Sequence, residues 1–430
     1  MSFVRFFLTL LLLYPSFSRA EKTEIEFWHA FNGDLEEKLS QLVKQFNDAN
    51  KDYKVKLVGK GNYTETLNAA IAAYRGGKQP HLLQVFEVGT QTMMSSEVIY
   101  PVQDLMKDTG HAVNWDDFLK PVLSYYQDKN GKLASMPFNS SSPIFYYNLD
   151  LMEKAKIKNP PKTWQQYFRD SEALVKAGVP CGGAIGWQPW ILVENFCAIH
   201  DLPFASRENG TLGVDTELQF DHPAVRTNLE ALQKLLPSHA FVYEGRRSDP
   251  LVAFTNGRCA YYMDSSGNIT TFQQAAKFHW AAAPMPYNED TKKPQNSIIG
   301  GASIWVFRGH KPEHYKAAGA FFAFLSQPDT QIWWHKATGY LPITQTAYQK
   351  LKKEGYYKKE PAQEVAVLQL LRAKPNANSR GIRLGYFMQI REIMDEEMEK
   401  IWSGKSSAET ALHSAVERGN KVLRHYQRTQ

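Results

Sequence analysis

"EIEFWHAF" (24–31), "DLEEKLSQLVKQFNDAN" (34–50), "YKVKLVGKG" (53–61), "NYTETLNAAIAAYRGG" (62–77) and "HLLQVFEVG" (81–89) decide the fold. The first, third and fifth are short apolar runs of strand length. In the second, Leu39, Leu42, Val43 and Phe46 recur at the spacing of one helical face, and the fourth ends on the pair Gly76-Gly77 as helices do. Strand–helix–strand–helix–strand order predicts right-handed crossovers and a mainly parallel sheet.

The alternation resumes beyond "SMPFNSSSPIFYYN" (135–148) with a helix over "TWQQYFRDSEALVKAG" (163–178). Strands over "RCAYYMDSS" (258–266) and "SIIGGASIWVF" (297–307) follow, and the last hundred or so residues are helix-rich. The chain is 430 residues long, more than one ordinary core accommodates, and it carries no low-complexity linker. Two α/β lobes joined by crossing strands are therefore expected.

The N-terminus reads "MSFVRFFLTLLLLYPSFSRA". A basic Arg5, an apolar run from Phe6 to Tyr14, Pro15 and small residues at 18 and 20 predict an export signal cleaved near Ala20/Glu21. The run is far shorter than the ~20 residues of a membrane span. Without residues 1–20 the charge is 48 basic against 44 acidic residues, spread with no basic block, which argues against nucleic-acid binding. Cys181, Cys197 and Cys259 allow at most one disulfide, and spacing alone leaves the pairing open.

No phosphate-binding loop, nucleophile elbow or dinucleotide fingerprint occurs. "HKPEH" (310–314) fits a zinc-protease pattern that needs both histidines on one helical face. Pro312 belongs in the first turn of the following helix, which leaves His310 outside it, so no metal site is expected. Three loop-like strings, "NSSS" (139–142), "DSSG" (264–267) and "IIGGAS" (298–303), offer hydroxyls and bare amides at strand edges, the donors an anion needs. Turn chemistry explains each one singly. Glu87 ends an apolar strand where ligands of open α/β sheets sit. Arg391 shares a helix face with Met394, Met398 and Ile401, so it must pair either with a bound anion or with a neighbouring carboxylate. Trp187 and Trp190, in "AIGWQPWILVENF" (184–196), sit on a stretch that Gly186 and Pro189 keep from regular helix. Paired indoles on a turn suit the C–H face of a small polyol; a core beneath a loop is the plainer alternative.

Together, "FWHAF", "KGNYTETLNAAIAAYRGG", "LLQVFEVGTQTMM", "MPFNSSSPIFYYN", "GWQPWILVENF", "LPFASRENG", "PQNSIIGGASIWVF", "TGYLPIT" and "LGYFMQIR" resemble, over essentially the whole chain past the export signal, one family. It is that of the periplasmic sn-glycerol-3-phosphate-binding proteins of ATP-binding-cassette importers, more distantly similar to the maltose-binding class. The resemblance implies a two-lobed α/β periplasmic-binding fold with the ligand cleft between lobes. Lobe 1 would comprise 21–137 and 284–340, and lobe 2 would comprise 138–283 and 341–430. The protein would be a monomeric, non-enzymatic carrier without cofactor. It would deliver its ligand to membrane permease subunits served by a separate ATPase. The implied ligand is sn-glycerol-3-phosphate, with a glycerophosphodiester such as glycerophosphocholine, or a sugar, as the alternative.

The resemblance also implies a ligand set: Tyr63 and Glu87 from the first lobe, Ser141, Trp187 and Trp190 facing them from the second, then Ser265, Gly301, Tyr340 and Arg391. It assigns phosphate to Arg391, the tyrosines and the serine and amide donors, and glycerol to Glu87 and the tryptophans. The chain departs from the family pattern at Pro189, at Met263-Asp264 and at Tyr386-Phe387-Met388, which would bring bulk or charge near the cleft.

Overall fold

The computed structural model describes residues 21–430, so the expected export signal lies outside the described residues. Among the described residues, ten strands form two sheets. They are β1 (Thr23–His29), β2 (Tyr53–Gly59), β3 (Leu82–Phe86), β4 (Ile99–Tyr100), β5 (Met136–Ser141), β6 (Pro143–Asn148), β7 (Cys181–Ile185), β8 (Cys259–Ser265), β9 (Trp280–Ala283) and β10 (Gly300–Phe307). The first sheet runs β2-β1-β3-β10-β4 with β5 also paired to β10, and the second runs β7-β8-β6-β9. Five helices matter below: α1 (Gly33–Ala49), α2 (Tyr63–Arg75), α3 (Pro312–Leu325), α4 (Phe387–Trp402) and α5 (Ala408–Arg428). No helix among the described residues is long and apolar enough to cross a membrane.

The opening stretch folds as its pattern predicts. β1 pairs in parallel with both β2 and β3, and α1 buries Leu39, Leu42, Val43 and Phe46. All five residues of β3 are buried, as befits a strand covered on both faces. α2 starts on a capping box, in which the Asn62 side chain accepts from Glu65 N–H and the Glu65 carboxylate accepts from Asn62 N–H.

The sheets are mixed rather than mainly parallel. β10 runs antiparallel to β3, β4 and β5, and β6 runs antiparallel to β8 and β9; β7–β8 is the one parallel pair of the second sheet. Chain crossing explains the difference. β3, β5, β7 and β8 end at the boundary between the sheets, whereas β6 and β10 enter their sheets from it and so run the opposite way. β5 straddles the expected 137/138 lobe boundary and pairs with β10 out to Ser141↔Gly300. Ser141 therefore belongs to the first sheet, not the second lobe. Only Ser142 separates it from β6 of the second sheet.

In the β7–β8 register Cys181 lies opposite Cys259, and these two form the disulfide, leaving Cys197 buried and reduced. Both cysteines begin their strands, at the end far from the boundary.

Candidate functional site

A cavity of about 340 Å³ opens between the two sheets. All nine expected residues, Tyr63, Glu87, Ser141, Trp187, Trp190, Ser265, Gly301, Tyr340 and Arg391, line it. One wall is a meeting of the three hydroxyl-and-amide strings. Gly300 pairs with Ser141, and Pro143 pairs with Ser265. Ser266 N–H donates to Ser142 C=O at 2.9 Å, and the Ser265 hydroxyl accepts from Gly267 N–H at 3.1 Å. Turn chemistry and site-building thus use the same residues.

Two glycines in this wall are required. Gly301 has φ +85°, and a Cβ there would lie 1.9 Å from the Asn139 carbonyl oxygen. At Gly300 a Cβ would lie 2.5 Å from the Trp190 ring, so a bare backbone is what lets the indole close over the wall.

The phenols beside this wall are held from behind. Buried Gln84 of β3 donates to Asn139 Oδ1 at 2.9 Å while accepting from Ala30 N–H at 2.8 Å, and Asn139 Nδ2 donates to the Tyr63 hydroxyl at 2.9 Å. Tyr63 also stacks on Phe86 with ring centroids 5.1 Å apart. Tyr340 is seated by His335, whose Nδ1 meets the Tyr340 carbonyl at 2.6 Å. Burial raises both phenols, Tyr340 to about 12, so each remains a protonated donor. Sequence reading missed Gln84 and His335, and it took Asn139 only as the first residue of "NSSS". An amide inside the otherwise apolar "LLQVF" was the one available signal.

The two indoles occupy different backbone. Trp187 sits at φ +41°, in the left-handed region, with its N–H bonded to the Arg247 carbonyl at 2.7 Å and its indole N–H to Ser248 at 2.8 Å. Trp190 lies on a π-helical turn, Pro189–Asn195, rather than on an irregular loop. Such wide turns recur where a side chain must be re-aimed. Both line the cavity, and Trp190 also packs into a buried hydrophobic cluster, so the lining role and the core role coexist. The buried Trp190 indole N–H and Asn268 amide N–H have no partner among the described residues.

Arg391, on α4, resolves its alternatives in favour of carboxylates. Its Nε and Nη2 donate to the two oxygens of Glu194 at 2.9 and 2.7 Å, and its Nη1 lies 2.8 Å from Glu87 Oε1. All three side chains are buried. Burial alone would lower the Arg391 pKa; Glu194 and Glu87 more than offset this and hold it above its ordinary range. Two carboxylates share one guanidinium, so the group is net negative when both are ionised; burial pushes the Glu194 carboxyl up, and the Arg391 charge pulls it back only in part. Sequence reading missed Glu194, although a carboxylate in "PWILVENF" is as odd as one ending "LLQVF". Arg247 lines the cavity too, with no carboxylate within ion-pair distance among the described residues; its Nη2 lies 3.4 Å from the Thr64 hydroxyl. Asp395 and Glu392 line the same cavity.

The departures from the family pattern have distinct fates. Pro189 and Met388 line the cavity. Asp264 is fully buried and serves the fold, accepting from the Tyr262 hydroxyl and from Ser265 N–H. Phe387 is buried under the Arg391 guanidinium, 5.3 Å from its ring centroid, and Tyr386 packs on His425 and Tyr426 of α5.

"HKPEH" behaves as expected in one respect and not in another. Pro312 opens α3 and leaves His310 outside it. His81, just before β3, nevertheless joins His310 and His314, bringing three ring nitrogens within 4.8 Å of one another. The hydrogen bonds assign their protons. His81 Nδ1 accepts from Glu26 N–H at 3.0 Å, so its own proton sits on Nε2 and points to His314 Nδ1 at 3.0 Å. His310 Nε2 donates to the Pro80 carbonyl at 3.0 Å. A metal at His81 Nε2 would have to displace that proton, so the cluster is a hydrogen-bonded stack rather than a set of free lone pairs.

Residues 41–365 match the family described as bacterial extracellular solute-binding protein. The chain is 45% identical over 412 residues to the sn-glycerol-3-phosphate-binding periplasmic protein UgpB of Salmonella typhimurium, covering 94% of each. It is 45% identical over 413 residues to that of Pectobacterium atrosepticum, covering 95% of this chain and 93% of the relative. Among solved structures, UgpB from Mycobacterium tuberculosis in complex with glycerophosphocholine superposes with a TM-score of 0.79 at 21% identity, covering 94% of this chain and 99% of that one. The GacH receptor of Streptomyces glaucescens superposes at 0.78 with 16% identity, covering 94% and 100%. These two share the fold. A two-sheet α/β architecture with an interlobe cavity, matched to the family over most of its length, establishes that the chain belongs to the bacterial extracellular solute-binding proteins, in the group of the sn-glycerol-3-phosphate-binding periplasmic proteins.

Proposed function

We propose that this protein captures sn-glycerol-3-phosphate in the interlobe cavity and delivers it to the permease of an ATP-binding-cassette importer. The observation that carries this reading is the convergence of nine residues, scattered from 63 to 391, on one cavity in a chain 45% identical to binding proteins of that name. The export signal cleaved near Ala20/Glu21, a periplasmic monomer, separate permease and ATPase subunits, and a purely non-catalytic role belong to the same proposal. So does the lobe division, with its first crossing moved from 137/138 to follow Ser141, where β5 leaves the first sheet.

The ion pairs argue for a particular ligand orientation. Three of Arg391's five N–H groups are committed to carboxylates, and the cluster it belongs to is net negative, so it is a poor seat for phosphate. It suits hydroxyls, which can accept from the two remaining N–H groups and donate to Glu87. Phosphate fits the neutral donors of the lining: the Tyr63, Tyr340, Ser141 and Ser265 hydroxyls and the amides around Gly301. The two indoles would then cover the glycerol carbons. This orientation differs from the one the resemblance implied for Arg391.

Glycerophosphocholine is the second reading, favoured by the open cavity and by Asp395 and Glu392 on its lining, which suit a cationic head group. Titration calorimetry with parallel tryptophan fluorescence tests both, using glycerol-3-phosphate, glycerophosphocholine, maltose and glycerol. Saturable binding of glycerol-3-phosphate without binding of glycerol supports the first reading. Binding of the diester alone, or of maltose, overturns it.

A further inference from the structure

Glu194 needs an explanation that ligand contact does not supply. It is 1% exposed and does not line the cavity, yet both its oxygens are taken by Arg391. Holding a carboxylate in such a place is costly, and a buried pair is commonly no more stable than an uncharged replacement of the same shape. Glutamine at 194 would fill the same volume and accept one of the same bonds. What the carboxylate adds is charge.

Glu87 faces the ligand from the cavity side of the same guanidinium. With Glu87 alone, Arg391 would form a neutral pair, and an incoming anion would meet a cation and an anion in balance. With Glu194 behind it, one guanidinium is shared between two carboxylates, and an anion arriving at this end meets a group whose carboxylates outnumber its cation. Low dielectric strengthens that repulsion. A neutral hydroxyl is unaffected, because it needs donors and acceptors rather than charge.

We propose that Glu194 is a specificity-determining residue that makes the Arg391–Glu87 end of the cavity accept a neutral diol and reject a second anionic group. The ligand class follows: phosphate esters of polyols whose far end is uncharged are admitted, while phosphorylated sugar acids and bisphosphates are excluded. The inference rests on the orientation proposed above, with the diol at Arg391.

The test compares glycerol-3-phosphate with 3-phosphoglycerate, which carries a carboxylate in place of the terminal hydroxymethyl group. Both are titrated calorimetrically into wild type, Glu194→Gln and Glu194→Asp. Wild type is expected to bind 3-phosphoglycerate at least 100-fold more weakly than glycerol-3-phosphate. Glu194→Gln should shrink that ratio at least tenfold, and Glu194→Asp, which keeps the charge, should retain most of it. A merely structural role would weaken both ligands together and leave the ratio unchanged, which overturns the inference while leaving the proposed function standing. If Glu194→Gln does not fold, the wild-type ratio decides: a value below about threefold overturns the inference. If wild type binds glycerol-3-phosphate not at all, the proposed function fails, and the inference fails with it.

Discussion

Gly300→Ala isolates the contact between the amide wall and the indole that closes over it. Gly300 is not in the left-handed region, so alanine is compatible with its backbone, and the added methyl is the whole perturbation. That Cβ would lie 2.5 Å from Trp190 Cζ2 and 2.9 Å from Cε2. Carbon atoms settle at about 3.5–4.0 Å, so the ring must retreat by roughly 1 Å. Trp190 belongs to a buried hydrophobic cluster and also lines the cavity, so the cavity is the space into which it can give. Overpacking of this size costs about 1–3 kcal/mol. Because the ring can yield into the space where ligand sits, most of that cost should appear in binding, as a ~5- to ~150-fold rise in Kd, with a small fall in melting temperature. Calorimetric titration alongside thermal unfolding reads both. Trp190→Phe in the same chain should recover part of the loss by making room for the methyl. A Kd within twofold of wild type, at unchanged melting temperature, refutes the placement of Trp190 against the ligand. Gly301→Ala is the contrast: with φ +85° and a carbonyl 1.9 Å from the new atom, it should compromise folding itself.

Three further outcomes are expected. The Cys181–Cys259 bond spans 78 residues, so replacing both cysteines with alanine should cost ~2–4 kcal/mol of stability by denaturant unfolding. Ligand affinity should stay within twofold, because both residues begin strands whose far ends meet the cavity; a larger change contradicts that layout. His335 is completely buried and held neutral near pKa 4, chiefly by desolvation. A base with a depressed folded pKa stabilises the fold above the unfolded value near 6.5 and ceases to do so as pH falls through about 4. Its contribution to acid destabilisation is on the order of 3 kcal/mol across that window. His335→Gln should flatten this part of the stability curve, and an unchanged acid limb would count against it. Asp395 works in the other direction: burial raises its carboxyl to about 7, so stability present below pH 4 is lost as pH rises through 7. Asp395→Asn should raise the melting temperature at pH 8 and leave it unchanged at pH 4.

How much of this was legible depended on whether the physics was local. α1 and β3 could be read because helical and strand periodicities mark which faces are buried, and the structure buries those faces. The antiparallel course of β6 and β10 was not legible, since strand direction depends on which end of a sheet the chain enters after visiting another lobe. The same non-locality moved Ser141 to the first sheet. It also hid the buried Gln84–Asn139–Tyr63 relay, whose members lie 55 and 76 residues apart. His81 joins His310 and His314 across more than 200 residues, beyond the reach of any local motif.

The cavity lining was legible as a set, whereas its polarity was not, and the reason is electrostatic. An arginine on an apolar helix face demands an anion, but the demand does not say whose. Glu194 meets it from within the protein, Glu87 meets it from the ligand side, and the guanidinium that looked like a phosphate clamp becomes the centre of a net-negative cluster. Phosphate is then better served where the protein presents neutral donors without carboxylates: two protonated phenols, two serine hydroxyls and the amides that bare glycines expose. Neutral donors can recognise an anion strongly in a water-excluded cleft because they need no counter-charge to be stripped of solvent first. In the proposed orientation, hydroxyl, amide and indole carry recognition at one end, and an arginine with three of its five N–H groups committed to carboxylates enforces neutrality at the other.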